Sequence, residues 1–374
     1  MNIQDQADHK TGADWLSASP LQEDLLADYC RNNPGLGLRD VFKYCYQSFF
    51  GCEHLASEQT VALRRIEAEL PEAADDLLPE VEMLDGDYCR LHLKIIPETL
   101  SAQTLCSLFL CSAHPRRDAF GRLYDALQRL PRLAKDGKLP FTQEATAQAV
   151  ADWLNEGLPP VHHSEDFRRK YHPAYRVVRK EYAALLPLLS RLEQAMRGKD
   201  FVTIAIEGRS AAGKTTLADL LAQIFDANLF HLDDFFLPPE KKTASRLSRP
   251  GENVDHERFL EEVLLPLSRR ESVAYRRYCC RSGQTEAALT VPPKKINLIE
   301  GAYSMHPSLR GYYDFTVFLD VDSETQRRRI LHRNTPAQAE RFFREWIPLE
   351  EAYFAAFPIR EMADLVWREA DVIE

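Results

Sequence analysis

Residues Phe201 to Thr216, FVTIAIEGRSAAGKTT, constrain the fold more than any other stretch of the chain. The first seven are mostly β-branched or apolar and predict a buried strand. Gly208, Arg209, Ser210, Ala211, Ala212, Gly213, Lys214 and Thr215 then complete the pattern G-x-x-x-x-G-K-[ST], with Thr216 following. Leu217, Leu220, Leu221 and Ile224 recur at helical spacing, so the loop joins a strand to a helix. Glycines let backbone N–H groups curl around an anion, and the helix N-terminus adds its positive dipole end. In such a loop Lys214 contacts the β- and γ-phosphates of a nucleotide, and the Thr215 hydroxyl is a ligand for Mg²⁺. The pattern therefore predicts an ATP and Mg²⁺ site on a parallel α/β sheet flanked by helices, the P-loop NTPase fold.

The chain of 374 residues is long enough for two domains, and its 28% charged residues suit a water-soluble protein. No apolar run approaches the length of a membrane span, and the polar, acidic N-terminus does not read as a secretory signal. The expected location is cytoplasmic, away from membranes. A net charge of −10 argues against nucleic acid as a partner. Eight cysteines without a C-x-x-C pair read as reduced thiols filling cores.

Residues 1–197 read as a mainly α-helical domain of unknown function, with residues 87–96 the best strand candidate and residues 174–197 a long amphipathic helix kinked near Pro187. Polar residues stand out against apolar surroundings: Glu53-His54, Arg90 and His92, His162-His163, and His172 to Arg176. They could form a metal site or an anion pocket, although no spacing matches a known metal motif. The segments Gln47 to His54 and Pro173 to Val178 resemble segments found beside kinase-like domains in bacterial proteins.

Residues 198–374 read as a small-molecule kinase domain. Asn228 to Phe236, NLFHLDDFF, should deliver Asp233 and Asp234 at a strand's C-terminal end, where open α/β sheets place catalytic groups. One of them could take the proton from a hydroxyl while the other helps hold Mg²⁺. Ile296 to Glu300 predicts another buried strand, its terminal Glu300 placed to support Mg²⁺. Arg327, Arg328, Arg329, Arg333, Arg341 and Arg344 form a cluster suited to a lid over phosphates, with Arg329 and Arg333 on one helical face the leading catalytic candidates.

These residues, from about Phe201 to Val366, resemble the uridine kinase and phosphoribulokinase family of P-loop kinases. Asp233-Asp234-Phe235-Phe236 corresponds to its Asp-Ser-Phe-Tyr-like motif, Asn253-Val254-Asp255-His256-Glu257 to its Asn-Phe-Asp-His-Pro-like motif, and Ile299-Glu300-Gly301 to its Phe-Glu-Gly-like strand end. The resemblance implies that Asp233 is the base. Asp255 would bind sugar hydroxyls, and Phe236 and Tyr278 would line the acceptor pocket, with Asp234 and His256 also on the substrate side. The expected reaction is ATP- and Mg²⁺-dependent phosphorylation of a small-molecule hydroxyl, with a nucleoside such as uridine the default acceptor. Phe236 replaces a family tyrosine, and Cys279, Cys280 and Arg281 stand where an acidic residue and a base-reading histidine are expected, which weakens the case for uridine. Arg276, Arg277 and Arg281 would suit an acceptor carrying phosphate or carboxylate. Two alternatives remain open: a nucleotide-gated regulatory ATPase acting through the N-terminal domain, and a bifunctional enzyme with a second active site there. Homo-oligomerisation is also open.

Overall fold

The computed structural model describes residues 23–52, 58–70, 80–96, 99–279 and 282–368. They divide into two compact units, one within Leu16–Ser190 and the other from Arg191 onward.

The first unit is mainly helical. Helices α1 (Glu23–Asn32), α2 (Leu38–Phe50), α3 (Gln59–Glu69), α4 (Ala102–Cys111), α5 (Ala119–Lys135), α6 (Gln143–Asn155) and α7 (Glu165–Tyr171) accompany a three-stranded antiparallel sheet. The sheet runs β1 (Val81–Met83), β2 (Tyr88–His92), β3 (Tyr175–Arg179), with β2 in the middle and buried at every position. Side-chain oxygens of Ser101, Thr142 and Ser164 cap α4, α6 and α7 by accepting a backbone N–H three residues on. Residues 174–197 do not form one long helix. Tyr175–Arg179 pairs with β2 instead, Val177 against Arg90 and Val178 against Cys89, and helix resumes at Lys180–Ala183 and in α8 (Leu186–Met196). The β-branched Val177-Val178 pair suits a pleated surface, and a partner strand supplied from far away in sequence overrides the local helical period. Cys30, Cys45, Cys52 and Cys89 are buried thiols of this unit.

The second unit is built on a five-stranded parallel sheet in the order β8-β7-β4-β6-β5. These are β4 (Val202–Gly208), β5 (Asn228–His231), β6 (Ile296–Glu300), β7 (Phe315–Asp320) and β8 (Leu365–Arg368). β4 is buried along its whole length, as a central parallel strand must be. The strands that flank it, β6 and β7, both come much later in the chain, so the connections diverge at the C-terminal end of β4. That divergence opens the crevice where such sheets bind ligands. One face of the sheet packs into a core that includes Phe230, Phe235, Phe259, Tyr275, Phe318 and Tyr353. Helix α9 (Lys214–Phe225) follows the loop after β4. Helices α10 (Ser323–Arg333), α11 (Pro336–Arg341) and α12 (Ile347–Ala356) follow β7. Two short ribbons, Val273–Tyr275 with Leu289–Val291 and Tyr278–Cys279 with Gln284–Thr285, lie between β5 and β6 in sequence. Among the described residues no helix is long and apolar enough to cross a membrane.

Candidate active site

The loop Gly208 to Gly213 links β4 to α9 as its sequence predicts. Gly208 has φ +151°, and a Cβ there would lie 2.4 Å from the Leu319 carbonyl oxygen. Gly213, at φ +98°, is the residue before α9, and a Cβ there would project into open space. The first glycine is required by packing on β7 and the second by its backbone conformation. Ala211 also holds a positive φ of 62°, a strained turn in the middle of the loop. Lys214 is buried, and its ammonium donates to the loop's own carbonyls, Gly208 O at 2.9 Å and Arg209 O at 3.1 Å.

Two acids and a histidine gather at the ends of the neighbouring strands. Register pairs Glu300, the last residue of β6, with His231, the last of β5. Their side chains meet at 2.6 Å between Glu300 Oε1 and His231 Nδ1, and the Thr215 hydroxyl donates to the same carboxylate oxygen at 3.2 Å. That hydrogen bond, against the opposing cost of burial, raises the pKa of His231. Asp233 follows in a single 3₁₀ turn, Leu232–Phe235. Its side chain is exposed to solvent, while neighbouring charges surround it. Loss of hydration there, with Glu300 adding repulsion, pushes it up to about 6, while Lys214 and His231 pull the other way. Asp234 points elsewhere, 3.1 Å from Arg277 Nε.

Of the arginine cluster, only part faces the loop. Arg329 is buried and reaches the Ala211 carbonyl at 3.4 Å. Arg333, four residues on, lies within the electrostatic reach of Asp233 and Glu350. Arg327 stacks over Phe343, and Arg341 and Arg344 pair with Glu345, so these three hold their own helices together.

The residues expected around an acceptor are more heavily engaged with the protein itself. Asp255 is buried, caps the following helical run through Arg258 N at 3.3 Å, and pairs with Lys241 Nζ at 2.7 Å. His256 is buried against His306, their rings stacked at 4.1 Å. Burial holds His256 down at about 3, so it is neutral. With Glu252, these two rings offer ligand atoms within 4.8 Å of one another, but Glu252 is already shared by Arg246 and Arg249. Phe236 is half-buried and bridges to Val254, and Tyr278 is buried in its ribbon. Arg258 stitches these segments together, donating to Asp234 O at 3.1 Å and Arg276 O at 2.8 Å. Cys280 and Arg281 lie outside the described residues.

Three site residues escape a motif reading. His231 stands two places before Asp233 in a stretch whose aspartates draw the attention. Glu207 ends the apolar run of β4 and is fully buried beneath the loop. It accepts from the backbone N–H of Gly208 (3.1 Å), Tyr303 (3.0 Å) and Met305 (3.0 Å). Burial pushes its carboxyl up to about 7 against those three amides. Glu350, on α12, accepts from Ser210 N at 3.0 Å and from the Ser210 hydroxyl, while neighbouring Glu351 takes Arg209 at 2.7 Å. A charged residue inside an apolar strand was the available signal for Glu207; nothing local marks Glu350.

The donor set fits a nucleotide phosphate with its metal: a loop of backbone amides, a lysine, and a threonine hydroxyl facing a carboxylate. Comparison with known proteins agrees. Residues 203–341 match the sequence model of the Phosphoribulokinase / Uridine kinase family. No curated protein sequence matches the chain. Among solved structures, a possible uridine kinase from Bacillus stearothermophilus superposes with TM-score 0.40 at 20% identity, covering 50% of this chain and 99% of that one. The D-glycerate 3-kinase of Cryptococcus neoformans var. grubii gives TM-score 0.33 at 15% identity, covering 46% of this chain and 87% of the other. In its C-terminal half, over residues 203–341, the chain is thus similar to the phosphoribulokinase/uridine kinase family.

Proposed function

We propose that the C-terminal half transfers the terminal phosphoryl group of ATP to a hydroxyl of a small molecule. The observation that supports this best is the convergence of Lys214, Thr215, Glu300 and Asp233 at the C-terminal ends of β4, β5 and β6. A switch that only binds or hydrolyses nucleotide has no need of a second carboxylate, Asp233, facing the open cleft.

In this reading the loop amides and Lys214 bind the phosphates, Lys214 exchanging its bonds to the Gly208 and Arg209 carbonyls for phosphate oxygens. Thr215 and Glu300 would hold Mg²⁺, which when bound screens the negative charge of the phosphates. Asp233 accepts the acceptor's hydroxyl proton; a carboxylate near 6 is a better base than an ordinary one and is still ionised at neutral pH. His231 orients Glu300. Arg329 and Arg333 approach from α10 to neutralise charge on the group in transfer.

For the acceptor, a nucleoside such as uridine is the starting assignment from the family. The loss of the family's base-reading residues, and the cationic Arg276 and Arg277, support an acceptor that also carries an anionic group. The deciding experiment is an ATP-consumption screen of wild type and Asp233→Asn against nucleosides, sugars and phosphorylated sugars. An acceptor that stimulates turnover in wild type and not in the variant establishes the reading and names the substrate. Tight ATP binding with no stimulating acceptor would overturn it in favour of a nucleotide-gated regulator.

A further inference from the structure

The first unit contains a cavity of about 490 Å³, a size that suits a small metabolite. Its wall is drawn from α2, α3, the segment around α7, and β3, all within this unit. The charge of the wall is uneven. Among the described residues, Lys43, Arg65, Arg168 and Arg176 line it against a single carboxylate, Glu69. Glu69 is taken by Arg176 in a two-pronged pair, 2.7 and 3.1 Å. Lys43, Arg65 and Arg168 are therefore left as excess positive charge around a half-open cavity. Lys43 is the telling member. It is buried, and its ammonium donates to one carbonyl, Val161 O at 3.2 Å. Burial brings it down to about 8, and Arg90 and Arg168 push the same way. The Asp40 carboxylate pulls the other way without a salt bridge to it, and a buried cation with no paired carboxylate is costly to keep unless something else supplies the negative charge.

The other side of the cavity is a polar chain held in one arrangement. Asp40 accepts from Gly37 N at 3.0 Å, Ser164 N at 2.9 Å and His163 Nδ1 at 3.1 Å. Burial opposes its ionisation, but these bonds win and hold it at about 2. His163, kept neutral by burial at about 4, then accepts at Nε2 from the Tyr175 hydroxyl, 2.7 Å away. Gln47 is oriented by Arg90, which donates twice to its carbonyl oxygen, so its amide nitrogen turns to Tyr175 at 3.2 Å. Arg90 is in turn paired with Glu82 at 2.9 Å. Apolar side chains of similar volume would fill such a core at least as stably. A satisfied polar network beside a cationic cavity is the construction of a binding wall.

We propose that the N-terminal unit binds a small dianionic metabolite, a phosphomonoester or a dicarboxylate, in this cavity through Lys43, Arg65 and Arg168. Arg65 and Arg168 stand at the exposed rim and Lys43 at the buried end. The site is separate from the nucleotide loop and does not depend on the kinase reading.

The test is calorimetric titration of the full chain carrying Lys214→Ala, which removes the loop lysine as a competing phosphate ligand. The probes are inorganic phosphate, ribose 5-phosphate, malonate and uncharged ribose. At least one charged probe should bind while ribose does not. Adding Arg65→Ala and Arg168→Ala should weaken that binding by about tenfold or more, as loss of charge-assisted bonds does, without shifting the melting temperature. Binding of ribose 5-phosphate alone assigns a phosphomonoester, and binding of malonate alone a dicarboxylate. No binding of any charged probe at millimolar concentration overturns the proposal. So does binding that the two arginine substitutions leave unchanged.

Discussion

At the scale of single residues, the site turns on how its carboxylates are charged. Asp233 has a native value near 6 against an ordinary 3.8, so the folded state binds its proton more tightly than the unfolded chain does. Protonated Asp233 favours the native state at low pH, and that contribution is lost as pH rises through about 6. Asp233→Asn should therefore melt at a higher temperature than wild type at pH 7, while its kcat falls by about a hundredfold or more and its affinity for ATP changes little. Thermal melts and steady-state kinetics read the two effects separately. The same value predicts that wild-type turnover declines as pH falls through about 6. Lys214→Ala should abolish phosphoryl transfer with the fold intact, checked by turnover and circular dichroism; retained turnover would sink the loop mechanism. Much of the loop's geometry was legible in the sequence, because its residues are contiguous between one strand and one helix. Thr215 and Glu300 lie in contact, with Asp233 in electrostatic reach of Glu300 and Lys214. Asp255 shows the limit: a carboxylate's spacing does not reveal that Lys241 and the Arg258 amide engage it.

At the scale of elements, Glu207 ties the end of β4 to the turn after β6. Its two oxygens serve amides on both sides, and the Tyr353 hydroxyl of α12 lies 3.4 Å away. Glu207→Leu would strand these donors in the core and should cost about 2–4 kcal/mol of stability. Glu207→Gln keeps an acceptor oxygen and should cost less. Urea unfolding midpoints would rank the two. Strands β4 and β6 were readable because buried strands carry largely apolar runs; the strand order was not. β3 was not, since Tyr175–Arg179 fits a helical period as well as an extended one, and only β2 decides between them. Glu350 was not readable either, because it acts on the loop from a helix more than a hundred residues later.

At the scale of the whole molecule, the described residues fall into two units of different construction. The first is continuous in sequence, and its sheet and helices are closed by Arg179 and the helices that follow. A fragment spanning 16–197, which keeps α8 whole, should fold alone, giving a cooperative thermal transition and helical circular dichroism; an unfolded fragment would refute this. The second unit is arranged otherwise, and this bears on how the chain is made. β4, its central strand, is synthesised long before β6 and β7, the two strands that cover its edges, and β8 comes last. During translation the N-terminal unit can be complete while β4 still waits on the ribosome with both edges unpaired. Such edges invite pairing with other chains. The nascent C-terminal half thus passes through an interval with exposed strand edges, whose length is set by the pace of translation between Gly208 and Asp320.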